Sequence, residues 1–176
     1  MVVPLLFALL GWLHLAPVGR VTPTPAQATF ERLKSLEGSW RATSTKGWSE
    51  EVQLKVIAGG SAVLETSVDA HPGETMATVY HMDGDRLLLT HYCVAGNQPR
   101  LQATSFEHDG LDVTFTFLDA TNLPSRDRGH MDKVAVHFQD ESHFSSQWTW
   151  FENGHEQWLE LIAATRLRGT QSVRRR

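Results

Sequence analysis

Turn-forming residues recur along this chain at a spacing that leaves room for little except short antiparallel strands. They fall at Gly59-Gly60, His71-Pro72-Gly73, Asp83-Gly84, Gly96-Asn97, Asp109-Gly110 and Asn153-Gly154, close to the roughly 8 to 12 residue rhythm of an all-β sandwich or barrel. Between the turns the apolar residues keep a period of two. Val52, Leu54 and Val56 alternate with Glu51, Gln53 and Lys55, and Leu111, Val113, Phe115 and Phe117 alternate with Asp112, Thr114 and Thr116, the pattern of strands with one buried face. The runs predict about ten strands, at 38–45, 49–57, 61–68, 75–82, 86–94, 100–108, 111–119, 132–139, 143–151 and 156–166. Short turns make consecutive strands antiparallel neighbours, and closing such a meander on itself removes its exposed edges. The expected fold is therefore an all-β, single antiparallel up-and-down barrel. Phe30, Leu33 and Leu36 place a short helix ahead of it, stopped by Gly38. The one long connection, 120–131, contains Pro124 and the charges Arg126, Asp127 and Arg128, and a loop of that length suits a lid or portal.

The first 19 residues hold no Lys, Arg, Asp or Glu, and an apolar run from Leu5 to Leu15 leads through a Pro/Thr-rich stretch to Ala26-Gln27-Ala28. That order predicts a secretory signal over 1–28, cleaved after Ala28. The run is short of the roughly 20 apolar residues of a membrane span, and prolines bracket it. The barrel domain is then 29–167, and 168–176 is a basic, frayed tail. Up to Leu167 the exported body carries 11 basic against 20 acidic side chains, which argues against a nucleic-acid or anionic-membrane surface. Cys93 is the only cysteine, so no internal disulfide forms and the core must supply the stability.

Chemistry concentrates in 78–100, TVYHMDGDRLLLTHYCVAGNQPR. Two strands flank an Asp-Gly turn there, with Tyr80, His81, His91, Tyr92 and Cys93 on them and Asn97, Gln98 and Arg100 just beyond. So many hydrogen-bonding groups beside three consecutive leucines fit one wall and rim of a binding pocket. A three-residue turn at Asp83-Gly84-Asp85 puts His81 on the face of Leu87, Leu89, His91 and Cys93; a two-residue turn reverses that assignment. Under the first register the two histidines stand about 16 Å apart at ~3.3 Å per residue, too far to share a metal. Arg100, with the amides of Asn97 and Gln98, could hold a carboxylate or phosphate, whereas Gly96-Asn97 reads as a turn in which Asn tolerates positive φ. Trp148 and Trp150 share a strand face with Phe144 and Ser146, as core packing or as a stacking platform. Nine histidines invite a metal reading, but none of the paired ligand spacings of zinc sites is present. His71, His108, His137, His143 and His155 fall at turns or outward positions, and Glu65, opposite Leu64 and Thr66, is expected in solvent.

The Gly38-Ser39-Trp40 tripeptide after a short helix resembles the opening of lipocalin and wider calycin barrels, where the tryptophan packs across the closed end beneath the helix. More closely, FERLKSLEGSW, the hairpin segment VYHMDGDRLLLTHYCVAGNQPR, LDATNLP, GHM and QWTWFENG are similar to a family of exported bacterial lipocalin-like proteins of uncharacterised function. The resemblance spans nearly all of 30–166. It implies a calycin-like barrel and export, and no established reaction. Members often read Gly-His-Met-His in the long loop; here His130 and Met131 are followed by Asp132, which weakens the case for a two-histidine site in that loop.

The expected function is that of an exported barrel holding a small, partly apolar ligand, with Tyr80, His91 and Arg100 as anchors and His130 and Trp148 as further lining. A haem-binding barrel with His81, His91 or His130 as the one axial ligand is the alternative, although the chain lacks the glycine-rich run after the first-strand Trp of nitrobindin-like proteins. An enzyme using a pocket histidine as general base beside Tyr80 or Tyr92 is the third. No resident cofactor is expected under the first reading, and no partner beyond a small molecule.

Overall fold

A computed structural model describes residues 22–68 and 75–167. The expected leader up to residue 21 and the tail 168–176 lie outside the described residues. Helix α1 is Pro25–Ser35, five residues longer at its start than the apolar spacing alone predicts. The reason is a capping box. Gln27 N–H donates to Thr24 Oγ1 at 3.3 Å and Thr24 N–H donates to Gln27 Oε1 at 2.9 Å, while Pro25 occupies a position where its missing N–H costs nothing. Ala28, the expected cleavage position, thus falls inside the helix.

All ten expected strands form: β1 (Gly38–Ser44), β2 (Ser49–Ile57), β3 (Ala62–Val68), β4 (Ala77–Asp83), β5 (Arg86–Tyr92), β6 (Gln98–Glu107), β7 (Asp112–Thr121), β8 (His130–Phe138), β9 (His143–Glu152) and β10 (His155–Arg166). Each pairs antiparallel with its neighbours in sequence, and β1 pairs with β10, so the sheet is a closed barrel.

One end of the barrel is shut by packing. Phe30 and Leu33 of α1, Leu36, Leu54 and Trp40 are all buried there. Trp40 is 0% exposed, its indole N–H donates to the Leu36 carbonyl at 2.9 Å, and Phe144 meets its ring edge-on at 4.8 Å. The Arg166 guanidinium lies 4.2 Å from the same ring and donates to the carbonyls of Glu37, Ser35 and Glu141 at 2.9, 3.2 and 2.7 Å. One side chain of the last strand therefore ties the end of the helix to the barrel. Gly38 makes room for it: a Cβ there, at φ +142°, would stand 2.9 Å from the guanidinium.

The β4–β5 turn takes the two-residue form. Asp83 pairs with Arg86, Met82 with Leu87, Tyr80 with Leu89 and Thr78 with His91, and Gly84 supplies the positive φ of +58°. Tyr80 and Thr78 consequently face inward with Leu87, Leu89 and His91, and His81 points outward, the reverse of the three-residue register. The loop between β7 and β8 is fastened rather than lid-like. Arg126 stacks over Phe117 and Phe151 at 4.1 and 4.3 Å and pairs with Asp132, and Asn153 N–H donates to the Asp127 carbonyl at 2.9 Å. A Cβ on Gly129 would meet the Trp150 ring at 2.3 Å.

Removal of the Trp40 ring opens a void between helix and barrel, so Trp40→Ala should lower the unfolding free energy by about 3–5 kcal/mol in urea titrations. Trp40→Phe keeps most of the apolar fill but leaves the Leu36 carbonyl without its donor; a loss of about 1–3 kcal/mol is expected. Equal losses from the two variants would show that the indole hydrogen bond, and not packing, holds this end.

Candidate functional site

The interior changes character along the strands. Near α1 the inward positions are apolar; toward the other end they become acids, hydroxyls and a histidine. Glu50 lies two residues before Val52 on β2, Glu65 two after Val63 on β3, and Glu160 two before Ile162 on β10. With Ser67, Thr78 and His91 they form the polar side of a cavity. Trp48, Met76, Met131, Trp148 and Ile162 form its apolar side. The cavity has a volume of about 50 Å³. A few ordered waters or a ligand of a few heavy atoms fit without rearrangement.

Each acid is held by a hydroxyl. Ser44 Oγ donates to Glu160 Oε2 at 2.5 Å, Tyr80 Oη donates to Glu65 Oε2 at 2.7 Å, and Ser67 hydrogen-bonds Glu50. Among the described residues no Lys or Arg lines the cavity. Burial of Glu50 and Glu65 therefore acts with no opposing cation among the described lining residues. Desolvation, reinforced by repulsion from Glu65 and Glu160, raises the Glu50 pKa to about 7. Desolvation likewise raises Glu65 above the usual carboxylate range, and desolvation with the nearby Glu65 charge raises Tyr80 well above the ordinary phenol value. His91 shifts the other way: burial lowers its pKa to about 4, so its ring is neutral at physiological pH.

Two atoms in this cavity have no partner among the described residues. Glu50, 4% exposed, has an unpaired Oε2, and His91, 5% exposed, has an unpaired Nε2. The other ring nitrogen of His91 sits 2.9 Å from Thr78 Oγ1, and Trp148 lies against the ring at 4.9 Å between centroids. Buried polar atoms normally find partners, because each one left without costs about 1–3 kcal/mol.

Of the residues singled out in the sequence, Tyr80, His91 and Trp148 come together around this end of the interior. The others do not join them. His81 points outward and contacts the Met82 carbonyl at 3.2 Å. Tyr92 is 51% exposed, and Cys93 is half-buried just past β5. Gly96, not Asn97, takes the positive φ in its turn; Asn97 is buried and donates to the Gly129 carbonyl at 2.8 Å. Gln98 accepts from Thr121 at 2.5 Å. Arg100 forms a two-pronged pair with Asp119, its Nε at 2.6 Å, on exposed side chains, because Leu101 and Ala103 take the inward phase of β6. His130 is fully buried beside Phe117, Phe151 and Arg126, one ring nitrogen 2.6 Å from the Arg128 carbonyl. His108, His137 and His155 are exposed and His143 half-exposed, and the first two share Asp112.

Glu65 was expected in solvent and instead faces the cavity. The strand offered two apolar phases, Val63 or Ala62 with Leu64, and only closure of the barrel decides between them. Glu50 and Glu160 carried a readable signal: each stands in the same phase as the apolar residues of its own strand. Among the described residues no three His, Cys, Asp or Glu side chains converge as a metal site.

No protein-family model matches the sequence, and no curated protein does. Solved structures share the fold. Rv2717c from M. tuberculosis superposes with a TM-score of 0.52 at 15% identity, over 84% of this chain and 100% of that one. A protein with unknown function from the DUF3598 family of Nostoc punctiforme superposes with a TM-score of 0.50 at 11% identity, over 77% of this chain and 49% of that one; the present chain thus spans about half of its length. At these identities the likeness is one of fold.

The two ionisable groups of the cavity have opposite effects on stability. Glu50 is raised from 4.5 to about 7, so its contribution is complete below pH 4.5 and is lost as pH rises through 7. His91 is lowered from 6.5 to about 4, so its contribution is complete above pH 6.5 and is lost as pH falls through 4. Between 4.5 and 6.5 the two slopes cancel. Relative to wild type, Glu50→Gln should gain on the order of 2–3 kcal/mol between pH 4.5 and 8, and His91→Asn should gain a similar amount between pH 6.5 and 4. Urea unfolding across that range reads both; differences that stay constant with pH would contradict the assignment.

Proposed function

We propose that the protein is an exported small-ligand-binding barrel, with its ligand seated in the cup formed by β2, β3, β4, β5, β8, β9 and β10. The observation that carries this reading is the pair of buried, partnerless atoms, Glu50 Oε2 and His91 Nε2, facing one part-open cavity. A ligand supplying a hydrogen bond to each removes the cost of leaving them unpaired. The apolar side, with Trp148 and Met131, would cover the rest of a small, partly apolar molecule. The apolar leader supports export, and the modest space favours a ligand of a few heavy atoms over a macrocycle.

Thermal-shift and native mass spectrometry screens against small amines, alcohols, carboxylates and sugars should yield binders that raise Tm and quench tryptophan emission. Met76→Trp, which fills the mouth, should fold and lose that response. If no compound class binds wild type, or if Met76→Trp responds equally, the cup is not the binding site.

A further inference from the structure

We propose that the cup is selective for a small organic cation, a protonated amine with a short apolar arm, seated among Glu50, Glu65 and Glu160. This deepens the ligand-binding reading and rests on it. Three carboxyl groups on β2, β3 and β10 enter one cavity lined by no Lys or Arg among the described residues, and Lys46, in the turn between β1 and β2, is not among the lining side chains. Acids alone would not make a site. The independent observation is His91, 5% exposed, whose Nε2 has no partner and which lines the same cavity from β5.

The arrangement suits an ammonium group with a hydrocarbon arm. A hydroxyl engages each carboxyl, and the contacts of Ser44 and Tyr80 use only Oε2 of Glu160 and Glu65, while Glu50 Oε2 is unpaired. The carboxyls are thereby oriented before anything binds, with acceptor capacity left over for a group that has three N–H donors and no acceptor. An ion pair between partly desolvated groups is stronger than one in water. The neutral His91 ring does not repel a cation. Trp48 and Trp148 line the cavity, where an indole ring attracts a positive charge or its neighbouring methylenes, and Met131 and Ile162 continue the apolar wall. A bare metal ion fits less well, because the acids stand around a cup and no three ligands converge among the described residues.

Proton release accompanies entry of the cation. Facing Glu50 are Glu65 on β3, Glu160 on β10, Tyr80 on β4 and His91 on β5, while β1 contributes the uncharged Ser44. Burial and mutual repulsion keep Glu50 largely protonated below pH 7, and an arriving ammonium stabilises its ionised form. Affinity must then rise with pH until the proton is gone from the free cup, by at most about tenfold per pH unit for one proton released.

Isothermal titration calorimetry of the full chain with n-butylamine, n-butanol and sodium butyrate, and separately with Ca²⁺ and Zn²⁺, tests the inference. The expected result is that n-butylamine binds at least tenfold more tightly than the other four, that its affinity increases from pH 6 to pH 8, and that the heat depends on buffer ionisation enthalpy as proton release requires. Glu50→Gln and Glu160→Gln should each weaken the amine at least tenfold and weaken n-butanol by a smaller factor, with folding checked by circular dichroism. Butanol or butyrate binding as well as the amine would overturn cation selectivity while leaving a ligand-binding cup in place. Preferential binding of a metal ion would overturn it too. Amine affinity that is flat with pH would remove the role of Glu50, and no binding by any probe would sink both this inference and the reading on which it rests.

Discussion

The pairing of β1 with β10 is the contact on which everything else in this molecule depends. Trp40 opposite Arg166, Ala42 opposite Ala164 and Ser44 opposite Ile162 join the first strand to the last and turn a ten-strand meander into a closed surface. Before that junction forms, each strand has two faces and neither is inside. Afterwards the period-two alternation sends every second residue to the interior. The same junction positions Arg166 over Trp40 and against the end of α1, so closure of the sheet and closure of the barrel end are one event.

The two ends of the interior then differ because of what the inward phase contains. At the helix end it holds Trp40, Leu54 and Leu87, and the space fills with side chains. At the other end it holds Glu50, Glu65, Glu160, Thr78 and His91, which cannot pack as densely and must be desolvated at a cost. The structure limits that cost through shared hydroxyls and shifted protonation equilibria rather than through buried cations. Stability is given up at this end, and an open, polar, partly unsatisfied cup is what results. Functional sites in otherwise self-consistent folds commonly show such local violations of the packing rules.

The sequence made the strands legible because alternation and turn residues are local signals. Whether Val63 or Leu64 faces inward is not local, and for that reason Glu65 was assigned to solvent. The β4–β5 register turned on whether the Asp-Gly turn uses two residues or three, a choice that flips Tyr80 and His81 between inside and outside. Arg100 looked like a rim anchor by its chemistry, but the inward phase set by Leu101 and Ala103 sends it outward to Asp119. The start of α1 was hidden because Thr24 and Pro25 sit in a stretch that reads as the tail of a leader, although a capping box is encoded there. Tyr80, His91 and Trp148 were recognisable as lining; of the acids, Glu50 and Glu160 were legible only from the phase they share with the apolar residues of their strands, and Glu65 was not legible at all.

The central claim is that Glu50 sits desolvated in a cup shared with two other carboxyls and a neutral histidine. Its carboxyl titration, followed by carbon-13 chemical shift in protein labelled at glutamate, tests this most directly. The expected midpoint is about 7, with the midpoint falling when Glu65 or Glu160 is replaced by Gln. A midpoint near the solvent value of 4.5, unmoved by those replacements, would contradict the claim.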